Sequence, residues 1–99
     1  MSMTQTGKLT LRSDNPVETQ GGNTSTFTRV NFPTPFPEGA EVVVFAQVQT
    51  FNGAHTPGLR IASVTPEGFL IRLNEIYATN AKSDGTHGNE TVGWFASTV

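Results

Sequence analysis

Two apolar runs, Leu59 to Val64 and Phe69 to Tyr77, are joined by nothing longer than Thr65-Pro66-Glu67-Gly68. That spacing leaves room only for a tight turn, so the pair must be an antiparallel hairpin. Pro66 presets φ at the first corner, and Gly68 is free to take the positive φ that such turns often need. After the turn, Phe69, Ile71 and Leu73 point one way, and Leu70, Arg72 and Asn74 point the other. The first set is the expected core face. It runs on into Glu75 and Tyr77 toward one end of the domain.

The rest of the chain repeats this pattern. Gly7 to Arg12 alternates and opens a first strand. Ser13 to Gly22 is dense in turn formers. Thr24 to Phe32 reads as a half-buried strand. Phe32 to Gly39 holds three prolines and cannot be a central strand, so it is expected to cross as an extended segment with Phe36 plugging one end. Glu41 to Phe51 is the longest strand. Val42, Val44, Ala46 and Val48 share one face; Val43, Phe45, Gln47, Gln49 and Phe51 share the other. Apolar residues on both faces predict a strand that is central or lies under a subunit contact. Asn52 to Gly58 and Ala78 to Gly88 are loops, and Glu90 to Ala96 is the final strand. No window of useful length carries a helical period. The expected fold is all-β: a six-stranded antiparallel β-sandwich forming one domain over residues 1–99.

Composition narrows what such a domain does. A chain of 99 residues buries about 60–65% of its unfolded surface, enough for one core but not for a deep private cleft. A ligand is therefore expected on the surface or between subunits. There is no cysteine, so disulfides, thiolate ligands and thiol nucleophiles are excluded. The formal net charge is -2, and the six Lys and Arg are scattered (Lys8, Arg12, Arg29, Arg60, Arg72, Lys82), which argues against nucleic acid. No run approaches the ~20 apolar residues of a membrane span. The polar start Met-Ser-Met-Thr-Gln-Thr-Gly is not expected to act as a secretory signal, and the compartment stays open.

The hairpin block Arg60 to Phe69 and the later block Glu-Thr-Val-Gly-Trp-Phe-Ala, Glu90 to Ala96, together resemble the hairpin and last strand of the H-type lectin domain. The resemblance runs from Gly7 to Ala96 and is strongest over Val42–Leu73 and Glu90–Ala96. It implies a small β-sandwich that forms homotrimers and binds N-acetylgalactosamine- or galactose-type glycans at subunit boundaries. The absence of cysteine departs from animal members and suggests a microbial one. The family's sugar-reaching arginine has a Leu-Arg-aliphatic context, matched by Leu59-Arg60-Ile61, although the spacing to Val64 is about four residues short. The family's Trp-His pair falls on Ile76 and Tyr77, so the stacking Trp is absent and an aromatic polar residue remains. Its strand-opening Tyr falls near Gly88, beside His87, and its loop Asp near Gly22, beside Asn23. The implied ligand-binding set is Arg60, Tyr77, His87, Asn23 and Glu75.

Each candidate also has a plain reading. Arg60 is equally a surface or interface arginine paired with Glu75 or Glu90. Glu75, His87 and Glu90 are too few for zinc in a chain with two histidines and no cysteine. If His87 is in a regular strand, it and Glu90, three apart, face opposite sides; if it is in the loop, they can meet. Asn80, Asp84, Asn89 and Glu90 lack a recognised calcium-loop spacing. Gln47 and Gln49 are expected to pair across a three-fold axis, or else to line a wet sheet face. Trp94 reads as core packing, and the Asn23 and Asn89 glycosylation patterns as chance. No cofactor and no metal are expected, and no nucleophile, base and orienter stand at a recognised spacing, so no enzyme is expected. The alternative to a lectin is a trimeric structural or adhesion module that keeps the fold without the sugar site.

Overall fold

A computed structural model describes residues 3–75 and 85–99. It contains six strands: β1 (Thr4–Ser13), β2 (Thr28–Asn31), β3 (Val42–Val48), β4 (Pro57–Thr65), β5 (Gly68–Glu75) and β6 (His87–Thr98). All pairings are antiparallel, and they form two three-stranded sheets, β1-β6-β3 and β2-β5-β4. The expected all-β sandwich is what the chain forms, with strand limits shifted by a few residues. The described residues include no helix, and hence none long and apolar enough to cross a membrane.

Alternation builds the core. The inward rows are Leu9 and Leu11 of β1, Val92, Trp94 and Ala96 of β6, and Phe69, Ile71 and Leu73 of β5. The two middle strands supply the most deeply buried side chains, Phe69, Ile71, Leu73 and Val92. Trp94 packs on Phe32 and Phe69 with ring centroids 5.6 Å apart in each case, and its indole lies against Gly7. It is a core residue, as its alternation implies. The proline-rich crossing segment closes the end near the hairpin turn: Phe32 and Phe36 are buried edge to face, 5.0 Å apart. Their backbone amides donate to the turn carbonyls of Glu67 and Pro66. Backbone that proline keeps out of the ladder is thereby satisfied by docking on a turn.

Three expectations need correction. β3 is an edge strand, not a central one. Its second apolar row, Val43 and Phe45, faces solvent, and Phe51 lies beyond the strand in the β3–β4 loop. Gly68 does not take positive φ; it starts β5 opposite Thr65. Its lack of a side chain serves close approach instead, because a Cβ there would stand 2.1 Å from the Val30 carbonyl oxygen of β2. The positive φ near the hairpin belongs to Ser63, at 52°. There Ser63 and Val64 stand opposite Phe69 alone, a bulge that removes Ser63 from the inward row of Leu59 and Ile61.

Candidate functional site

Away from the hairpin turn, the inward rows change from apolar to ionic. The β5 row Phe69, Ile71, Leu73 ends in Glu75, and the β6 row Ala96, Trp94, Val92 ends in Glu90. Both carboxylates are buried, and between them lies His87, also buried. His87 Nδ1 stands 3.1 Å from Glu75 Oε1 and Nε2 stands 2.7 Å from Glu90 Oε2. With an acceptor at each nitrogen, the imidazolium satisfies both by donating twice. The cation thus ties one sheet to the other.

Regular strand geometry forbids this, since residues 87 and 90 differ by an odd number. A bulge makes it possible. Leu11 pairs with Glu90 and Ser13 with His87, so Arg12 alone faces Gly88 and Asn89. The extra residue reverses the parity of β6 and turns His87 inward beside Glu90. His87 is therefore in the strand and on the same face as Glu90, where regular alternation would have put it on the opposite face.

The charges shift one another. Burial opposes the His87 cation, but the hydrogen bonds to Glu90 and Glu75 outweigh it and raise the His87 pKa above its ordinary 6.5. The His87 bond, followed by that from Thr50, holds Glu90 below its ordinary 4.5 despite burial.

Glu90 also anchors the β3–β4 loop. Thr50 Oγ1 donates to Glu90 Oε1 at 2.7 Å, and the Asn52 backbone amide donates to the same oxygen at 3.1 Å. Thr50 Oγ1 in turn accepts from the Thr91 amide, and Asn52 Nδ2 donates to the Asn89 carbonyl. Gly53, at φ 106°, carries the loop across His87; a Cβ on it would lie 3.6 Å from His87 Cε1. His55 follows, mostly exposed, with Nδ1 3.9 Å from Glu75 Oε2. Between this loop and the end of β3 is a half-open cavity of about 310 Å³, lined by Gln47, Thr50, Phe51, Asn52, His55 and Glu90 among others. That volume is at the small end of ligand sites.

The structure brings together two of the expected ligand-binding residues, Glu75 and His87, and leaves two elsewhere. Arg60 is exposed on the outer face of β2-β5-β4, in register with Arg72, and has no carboxylate partner among the described residues. The expected ion pair with Glu75 or Glu90 does not form, because those side chains point into the sandwich. Asn23 is spent on its own loop: Nδ2 donates to Glu18 Oε2 at 2.8 Å, and Oδ1 accepts from the Ser25 amide. Tyr77 lies outside the described residues, as do Asn80 and Asp84 of the weighed calcium set. Among the described residues no group of His, Asp and Glu is arranged to hold a metal ion.

The loop residues Thr50, Phe51, Asn52 and His55 are what reading by alternation missed. The available signal was Phe51 itself, an aromatic stranded beside the turn pair Asn52-Gly53.

A second surface adjoins this cavity. The outer face of β1-β6-β3 carries Val43, Phe45 and Phe95 exposed, with Phe45 at 66%. Beside them Gln49 lies over Gly93, and Lys8 and Gln47 complete a broad open groove. Gln47 lines both this groove and the loop cavity, so the two are contiguous.

The site and fold define a small two-sheet β-sandwich with an ionic cluster at one end, a loop cavity beside it and an exposed apolar face next to both. No protein-family model matches the chain, and no curated protein and no solved structure matches it.

Proposed function

We propose that this chain is a carbohydrate-binding protein that works as a homotrimer, with shallow sites at the subunit boundaries for N-acetylgalactosamine- or galactose-type sugars. The observation that carries this reading is the contiguity at Gln47. If the face of Val43, Phe45 and Phe95 meets its copies, the cavity next to it becomes a boundary site. Weak sites in such an arrangement gain avidity by roughly 10²–10⁴ when a surface offers several sugars at once. Resemblance to the H-type lectin domain supports the same reading, and the end of the sandwich that holds Glu75 and His87 is where that resemblance puts part of the sugar site.

A second reading is a trimeric structural or adhesion module without a sugar site. One observation favours it: Glu75 and His87 spend their polar atoms on a buried cluster that joins the sheets, which is a structural task.

Calorimetric titration with N-acetylgalactosamine and a glycan panel, on protein whose mass in solution has been measured, separates the two. Three-fold mass with saturable binding, even at millimolar strength, is the expected result. Three-fold mass with no binding across the panel selects the structural module. Arg60→Ala adds a control on the implied arginine. Lost binding with the mass unchanged would move the site to the outer face of β4.

A further inference from the structure

Phe51 is 90% exposed, more than any other large apolar side chain of the described residues. Solitary exposed apolar residues are common and by themselves mean little. Phe51 differs in how it is held. Its two neighbours, Thr50 and Asn52, are both hydrogen-bonded to Glu90, whose carboxylate is locked in turn by His87. Asn52 is further pinned to Asn89, and Thr50 to Thr91. A buried ionic cluster thus fixes the backbone on either side of a ring that touches almost nothing of its own chain. With the backbone on either side fixed, only the two side-chain torsions of Phe51 are left to order on contact, which keeps the entropy cost of binding low.

The ring also stands in the right company. Phe51 lines the loop cavity together with Asn52, His55 and Gln47. Asn52 uses its Nδ2 on Asn89, while its Oδ1 has no partner among the described residues. The His55 imidazole is 60% exposed. An apolar flat surface flanked by an amide acceptor and an imidazole matches a pyranose, which has one face of C–H groups and an edge of hydroxyls.

Resting on the carbohydrate reading above, we infer that Phe51 is the stacking platform of the glycan site, with Asn52 and His55 taking hydroxyls on the loop whose Thr50 and Asn52 donate to Glu90. The sugar is then seated in the β3–β4 loop, not against Arg60.

The test compares wild type, Phe51→Ala and Phe51→Trp by calorimetry and saturation-transfer NMR with N-acetylgalactosamine and the same glycan panel. Solution mass and thermal midpoint are measured for each. Phe51→Ala is expected to weaken binding roughly tenfold or more, and Phe51→Trp to retain it, with mass and midpoint unchanged in both. Wild type that binds while Phe51→Ala binds equally well overturns the platform and leaves the carbohydrate reading standing. Wild type that binds nothing in the panel overturns both. A Phe51→Ala protein of lower mass makes Phe51 a subunit contact and overturns the platform.

Discussion

At the scale of single residues, the cluster of Glu75, His87 and Glu90 sets how stability responds to pH. His87 has its folded pKa raised above 6.5, so its contribution is complete below about pH 6.5 and is lost as pH rises through the folded value. Glu90 has its folded pKa lowered below 4.5, so its contribution is complete above about pH 4.5 and is lost as pH falls through the folded value. Both are in full effect between those limits. Thermal midpoints measured across pH should therefore form a plateau with two falling limbs. His87→Gln should lower the plateau, because it leaves two buried carboxylates facing each other without a cation, and should flatten the alkaline limb. An alkaline limb unchanged in His87→Gln would show that another group titrates there. Only part of this cluster was legible in the sequence. The row Phe69, Ile71, Leu73, Glu75 follows from alternation, and Glu90 follows from Val92 and Trp94 in the same way. His87 does not, because an irregularity opposite Arg12 reverses the parity on which alternation depends. Gly88-Asn89 is the only local trace of it, and a short Gly-Asn pair reads as a turn as readily as a bulge.

At the scale of elements, the hairpin forms where the sequence predicts it, but the glycine after its turn serves a different purpose. Pro66 and Glu67 do form the turn, and the faces of β5 fall as alternation predicts. Gly68 is needed not by the turn but by the neighbouring strand. Asn31 pairs with Gly68, and the Val30 carbonyl occupies the space a side chain would take. A linear sequence shows a glycine after a turn and cannot show which strand will press against it. Gly68→Ala forces backbone against a methyl group, and overpacking of that kind costs about 1–3 kcal/mol. Urea unfolding should show a lower midpoint with the slope kept; because residue 68 has an ordinary φ, backbone conformation alone would predict little change, so the loss reports the close approach of β2. The same limit explains β3. Its composition showed apolar residues on both faces, which fits a central strand or a covered edge. Strand order decides between these, and order comes from which rows pack together: the inward row of β6 lies between those of β1 and β3.

At the scale of the whole molecule, what stands out is an edge strand left without the usual protection. Natural edges carry charges, prolines or bulges that discourage pairing. β3 carries none within Val42–Val48, and its solvent row is Val43, Phe45 and Gln47. Next to it β6 presents Phe95, in register with Phe45. A 99-residue domain that leaves these rings in water has little core to spare for the purpose. In the proposed trimer, covering the face with copies of itself would return that apolar area to the interior and give the Gln47 amide a partner across the seam, while Gln49 Nε2 already donates to the Gln47 carbonyl at 3.1 Å. Phe45→Glu tests this directly. In a monomer the change affects only an exposed side chain, so stability should move by no more than about 0.5 kcal/mol. In an oligomer it places a carboxylate in each copy at the buried seam, where unpaired charge is strongly disfavoured. Light scattering and sedimentation should then show three-fold mass for the wild type and single-chain mass for the variant, with an unchanged β-sheet circular dichroism spectrum. Single-chain mass for both would mean the face is covered by something else or left open, and would remove the subunit boundary from the proposed function while leaving the loop cavity in place.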